Sequence, residues 1–211
     1  MAEISNTELE ARSAAATSLA TLAKEAEACR RCPLYKAATQ VVFGEGPATA
    51  AMVLVGEQPG DQEDLAGHPF VGPAGKLLDR ALADAGIERS AVYVTNAVKH
   101  FKHEQRGKRR MHKRPNQYEI SRCRWWLDLE LKLVNPKLVV ALGATAAGAL
   151  AGRAVSIARE REKPLPIAGG RRGFVTMHPS AILRMRDERE RNAAMELLVR
   201  DLRDARALLR R

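Results

Sequence analysis

Four short runs of consecutive apolar residues punctuate the chain, at 52–55 (MVLV), 91–95 (AVYVT), 138–142 (LVVAL) and 174–177 (FVTM). Each is too short for a helix and is bounded by polar or turn residues, which predicts strands buried on both faces. Between them the apolar positions recur at helical period. The stretch 74–85 carries Leu77, Leu78, Ala81 and Leu82 on one side, with Gly86 as its stop. The stretch 117–133 has a similar stripe through Ile120, Trp125, Leu127 and Leu131, ended by Asn135-Pro136. Residues 144–151 predict a short Ala-rich helix, 189–209 a long closing one, and the chain up to about Ala28 is helical by Ala and Glu content, with 1–15 frayed. Strands alternating with helices imply right-handed crossovers, and hence an α/β fold with helices over both faces of a central four-stranded, mostly parallel sheet. No repeat or Pro-rich linker divides the 211 residues, so one domain over 1–211 is expected. Ligands of such sheets bind outside the carboxyl ends of the strands. The loops to watch therefore follow Val55, Thr95, Leu142 and Met177, and read GEQPGDQED, NAVKHFKHEQ, GATAAGA and HPSAILR.

Composition narrows the class. With 45% hydrophobic and 28% charged residues the chain is not mainly disordered. No apolar run approaches the ~20 residues that span a bilayer. The N-terminus has acids where a secretion signal carries positive charge, so the expected compartment is the cytoplasm. Three cysteines, an odd number, suit metal binding or free thiols better than a disulfide framework. Charge distribution says more than the total of +10: the window 99–114 holds eight Lys or Arg residues and one acid, Glu104. A cluster this dense has the footprint of a phosphate-backbone site, the alternative being a solvated loop. The Arg-rich stretch 184–211 is interleaved with acids and reads as a solvated helix face.

Five short motifs carry candidate chemistry. Gly56-Glu57-Gln58-Pro59-Gly60 follows a strand directly; its turn can aim backbone N–H groups at a ligand and holds a carboxylate at its start, unless it is an ordinary strand-to-loop turn. In His68-Pro69-Phe70-Val71-Gly72-Pro73 a phenylalanine is pinned between prolines, placed either to stack on a flat ligand or to plug the core. Asn96 ends the second strand, and Met177-His178-Pro179-Ser180 sets a histidine at the same edge. Cys29-x-x-Cys32 has the spacing at which one turn brings two thiolates to one metal, and with Cys123 and a histidine (His100 or His103) the site would be four-coordinate. Spacing alone leaves zinc, an iron–sulfur cluster and unliganded buried thiols open.

Taken in order, GEQPG, GHPFVGPAGKLLD, a strand ending in TNAVK and a late MHPS resemble the uracil-DNA glycosylase superfamily in its iron–sulfur branches, from about Cys29 to Arg206. Within it, Lys108-Arg109-Arg110-Met111-His112 is similar to the Arg-rich loop of the UdgX type, related to family 4, with Met111 where isoleucine is usual. That resemblance implies a three-layer α/β/α uracil-DNA glycosylase-like fold, excision of uracil, and covalent attachment to DNA through His112. Related hydrolytic enzymes carry a fourth cysteine where this chain has His100. The resemblance therefore implies a structural [4Fe–4S] cluster on Cys29, Cys32, His100 and Cys123, with His103 in reserve.

The roles expected on that footing are these. Lys108, Arg109 and Arg110 hold phosphates of uracil-containing DNA, single strands included, for a monomeric enzyme. The base is extruded, stacks on Phe70, is read by the Asn96 amide and meets backbone N–H groups around Gln58. His178 stabilises the departing uracil anion. A neutral His112 attacks C1′ while Glu57 accepts its other ring proton. Two rivals stand beside this: a conventional hydrolytic glycosylase that turns over, and a non-catalytic, metal-containing nucleic-acid-binding protein. Scarce aromatics, nine in the chain, speak against the long stacking platforms of general single-strand binders.

Overall fold

The computed structural model describes residues 5–167 and 170–210. Two helices, α1 (Asn6–Ala14) and α2 (Leu19–Ala26), lead into a long irregular stretch and then β1 (Met52–Gly56), α3 (Asp61–Ala66), α4 (Pro73–Asp84) and β2 (Tyr93–Asn96). A hairpin of β3 (His103–Arg106) and β4 (Arg109–His112) precedes the long α5 (Gln117–Val134), β5 (Leu138–Leu142) and α6 (Ala144–Ala151). The chain closes with α7 (Ile157–Glu160), β6 (Leu165–Pro166), β7 (Arg172–Thr176), α8 (Pro179–Leu183) and α9 (Glu188–Leu208).

The main sheet has the order β2-β1-β5-β7-β6. Its first four strands are parallel and β6 runs antiparallel to β7. The sheet thus has five strands, not four: β6 is two residues long and contains Pro166, too little for a periodic pattern to register. Alternation along the strands divides the core. Val53, Val55 and Val139 face a layer built on Leu22, Trp126 and Leu127, whereas Leu54, Val94 and Val140 face Leu78, Leu82 and Leu202 from α4 and α9. Helices therefore cover both faces, as the sequence pattern predicts.

Local signals set the element ends. Asn116 and Glu119 form a reciprocal cap on α5, with Asn116 N–H donating to Glu119 Oε2 (2.7 Å) and Glu119 N–H to Asn116 Oδ1 (2.9 Å). Asn135 closes it in the left-handed region (φ 47°) ahead of Pro136. Two sequence expectations change. Residues 6–14, taken as frayed, form α1 with Leu9 and Ser13 buried, while 1–4 lie outside the described residues. The basic window, taken as a loop, contains the β3–β4 hairpin, whose register sets His103 opposite His112 and Gln105 opposite Arg110. Charged side chains on both faces hide its strand period. No helix among the described residues is long and apolar enough to cross a membrane.

Candidate active site

In the sheet the connection from the carboxyl end of β1 runs to β2 on one side, whereas that from its other neighbour, β5, runs toward β7 on the opposite side, so a crevice opens between the ends of β1 and β5. A cavity of about 700 Å³ occupies that place. It draws Glu57 from the loop after β1, Asn96 from the end of β2, Thr145 from the start of α6 and His178 from the loop after β7, with Phe70 and His112 completing it. All four loops singled out by the strand pattern reach one site.

The floor is made by an absence. A Cβ on Gly56 would lie 2.4 Å from Asn96 Oδ1, 2.7 Å from Phe70 Cζ and 3.4 Å from His178 Nε2, so only glycine leaves room for these groups to converge. Phe70 is held in the left-handed region (φ 59°), and its ring stacks on His178 with centroids 6.2 Å apart and planes 28° from parallel. Its carbonyl packs where a Cβ on Gly75 would sit, 1.7 Å away, so glycine at 75 is what admits that backbone bend. Glu63 joins the two loops, accepting Gly60 N–H at 3.1 Å and Gly72 N–H at 2.7 Å.

His178 is neutral: burial pushes its pKa down to about 4, with Arg184 and His112 adding to the effect and Glu57 opposing it. Ser180 N–H donates to its Nδ1 (3.1 Å), which leaves the ring proton on Nε2, the atom facing the floor. A donor therefore points at the place where a flat ligand would lie beside Asn96 and Phe70.

At the mouth stands a second constellation. His112 Nε2 is 3.3 Å from Glu57 Oε1, and its side chain is about half exposed. Thr145 Oγ1 donates to Glu57 Oε2 at 2.5 Å and itself accepts Arg114 Nε at 3.1 Å. Burial raises the Glu57 pKa, but hydrogen bonds from His112 and Thr145, together with the electrostatic pull of the two imidazole rings beside it, outweigh it and hold the carboxyl below its ordinary value. Glu57 is thus a carboxylate already bonded to an imidazole edge. The strand order, the floor at Gly56 and the carboxylate beside a half-exposed imidazole all fall in the stretch, residues 43–203, that matches the Uracil DNA glycosylase superfamily.

The chain belongs to the uracil-DNA glycosylase superfamily. It is 40% identical to the type-4 uracil-DNA glycosylase of Thermotoga maritima over 169 residues, covering 80% of this chain and 84% of the relative. With the type-4 enzyme of Pyrobaculum aerophilum it shares 36% identity, covering 79% and 87%. With that of Archaeoglobus fulgidus it shares 41%, covering 62% of each.

Within this site one expected role changes and one gains a second part. Gln58 lines the cavity, where its expected role is through main-chain N–H groups, while its side chain is engaged elsewhere: its Nε2 donates to the carbonyls of Lys102 (3.1 Å) and Lys113 (3.2 Å), and its Oε1 accepts Lys102 N–H (3.2 Å). Those residues are the two legs of the hairpin, so one amide staples both. Arg110, expected at phosphate, is spent on carboxylates, pairing with Asp61 (2.6 Å) and the fully buried Asp64 (2.6 Å). Strand alternation explains this, since Arg110 and His112 share the inward face of β4. Lys108 and Arg109 stand exposed at the tip, with no carboxylate partner among the described residues. Thr145 and Glu63 escaped the sequence reading, and Arg114 entered it only as the last residue of the basic window; the hydroxyl of Thr145, in the flagged GATAAGA loop, is the one signal that could have found it.

Cys29, Cys32 and Cys123 are buried free thiols close enough for their charges to be felt by one another. Trp126 Nε1 donates to Cys29 Sγ and Lys99 N–H to Cys123 Sγ, each at 3.1 Å. Burial and the neighbouring thiols, against the Lys99 charge, push Cys123 up to about 12, a cost that a cation would offset. Burial, with Arg30, pushes His100 down to about 4 against the pull of Asp64, so it is a neutral imidazole able to ligate. The donor set therefore fits a metal in kind and in burial. As placed, it is not gathered into a shell: among the described residues no three His, Cys, Asp or Glu side chains meet at metal-holding spacing. His103 instead stacks on Phe101, with centroids 5.0 Å apart.

Proposed function

We propose that this chain excises uracil from DNA and is then held to the abasic sugar by a covalent bond from His112 to C1′. The observation that carries the reading is the His112–Glu57 pair at 3.3 Å on the rim of the cavity whose floor is shaped by Gly56, Asn96, Phe70 and His178. The substrate is uracil-containing DNA, single strands included, bound by a monomer in the cytoplasm. Lys108 and Arg109 meet phosphates, and the extruded base lies against Phe70 with its edge on Asn96. The C1′–N1 bond breaks with its electron pair on uracil, and the Nε2–H of His178 stabilises that anion. The His112 nitrogen not bonded to Glu57 donates its lone pair to C1′, while the proton on the other nitrogen passes to or is shared with Glu57. Thr145 and Arg114 keep the carboxylate turned to the ring.

A uracil-containing oligonucleotide is expected to give one protein–DNA band that survives hot detergent. His112→Ser should abolish the band and release free uracil with turnover. Catalytic turnover by the wild-type chain, with no band, would assign it instead to the hydrolytic type, with His112 limited to contacting DNA. Binding with neither product would make it a non-catalytic nucleic-acid-binding protein.

We propose also that Cys29, Cys32, Cys123 and His100 hold a [4Fe–4S] cluster. When bound it would supply structural cross-linking of the N-terminal segment to α5 and the base of the hairpin. Support comes from three buried thiols, two of them receiving N–H donors, and a neutral buried imidazole. Anaerobically purified protein should be brown and contain about four iron and four sulfide per chain. Colourless protein with one zinc per chain would overturn this.

A further inference from the structure

Beneath the end of β2 lies an ion pair that the site described above does not use. The Lys99 side chain is 1% exposed and that of Glu130 is fully buried. The ammonium has three donors and meets three acceptors: a Glu130 carboxylate oxygen, Thr95 Oγ1 (2.6 Å) and the main-chain carbonyl of Asn96 (2.8 Å). Glu130 is bonded in turn by Tyr93 Oη (2.9 Å), Thr95 Oγ1 (3.0 Å) and Gly44 N–H (3.0 Å). A buried pair of this kind is seldom the most stable filling for its space, since apolar residues of similar volume often do as well. What it holds is therefore informative. Of the acceptors on Lys99, one is the peptide of the residue whose Oδ1 lies at the cavity floor.

The other side of that peptide is tied to β1, because Ala97 N–H donates to the Gly56 carbonyl at 2.9 Å. The Asn96 side-chain amide, by contrast, makes no hydrogen bond to another described residue, so its direction is set through its own backbone. We infer that Lys99 and Glu130 are positioning residues which fix the Asn96 peptide between strand β1 and a buried ammonium, and so aim the Asn96 amide at the nucleobase. The inference rests on Asn96 reading the base. Its chemistry is base selection: an amide held in one orientation matches the O4 and N3–H edge of uracil and opposes the 4-amino edge of cytosine.

The test compares Lys99→Met, Lys99→Met with Glu130→Gln, Thr95→Val and Asn96→Ala in single-turnover excision on DNA carrying uracil or cytosine. Lys99→Met leaves a buried unpaired carboxylate and should lower Tm by roughly 10 °C. The double substitution removes both charges and should recover most of that loss. Its maximal excision rate should nevertheless stay about 10- to 100-fold below the parent, at an unchanged half-saturating DNA concentration and with a smaller preference for uracil over cytosine. Thr95→Val keeps both charges and takes away one acceptor of the ammonium; it should lower Tm by less than Lys99→Met and slow the maximal rate by several fold, and decides the matter if the double variant does not fold. Parental rate and selectivity in whichever of these folds would overturn the inference. Asn96→Ala separates the two levels: if that change costs nothing, the reading of Asn96 fails, whereas a large loss beside a parental double variant refutes the Lys99–Glu130 role alone.

Discussion

Gly56 concentrates the residue-scale argument. Its neighbours stand where its own side chain would be, and none of the three is free to withdraw. Asn96 is anchored by its peptide, Phe70 by a left-handed backbone, and His178 by the Ser180 N–H. Gly56→Ala should therefore leave the folded core intact, since Met52 to Val55 keep their packing, yet lower single-turnover uracil excision by about 100-fold. Thermal melting beside a rate measurement checks this, and an unchanged rate would move the base pocket elsewhere. His178 belongs to the same scale. A ring neutral down to pH about 4 is already in its donor form throughout the range where DNA is handled, so it adds no inflection near neutrality. Gly56, Asn96 and His178 were legible in the sequence because they lie at or just past strand ends, and Phe70 because prolines pin it in a short loop. Their partners were not: Thr145 meets Glu57 and Arg114 across tens of residues, and Glu63, though only three and nine residues from the loops it joins, carries no spacing that announces the contact.

At the scale of elements the hairpin is the informative unit. It was visible only as charge, since β4 reads Arg109-Arg110-Met111-His112 and offers no apolar alternation. Its two faces nonetheless have separate duties. Lys108 and Arg109 are exposed at the tip, whereas Arg110 is locked to Asp61 and Asp64 of α3. Their substitutions should consequently fail in different ways. Lys108→Ala should reduce the slope of log affinity against log salt by about 0.7 to 0.9 and leave the hairpin ordered. Arg110→Ala should leave Asp64 buried without its cation and speed hydrogen exchange in β3 and β4, with little change in salt slope. Equal effects on both measurements would erase the division between faces. The buried Lys99–Glu130 pair escaped notice for a related reason: pattern reading assigns charges to surfaces, and here two charges satisfy each other under a strand.

For the molecule as a whole, the order of the strands was less legible than their existence. Four runs of apolar residues gave the parallel core of the sheet, and the rule for strand ends gave the location of the cavity. The place of β1 between β2 and β5, which opens the crevice, emerges only from pairing. Charge is arranged to match: the basic hairpin meets the cavity at His112, with Arg114 just beyond it, while the Arg-rich α9 packs against α4 with its own acids interleaved.

The Gln58 amide that bonds both Lys102 and Lys113 sits one residue from Glu57. The loop that carries the carboxylate and the base of the hairpin that carries the imidazole are consequently tied to each other in the free protein. With His112 as the nucleophile proposed above, capture would wait on the sugar swinging into reach, not on a flap folding down, and the entropy of assembling the pair would be lost during folding instead of at each encounter.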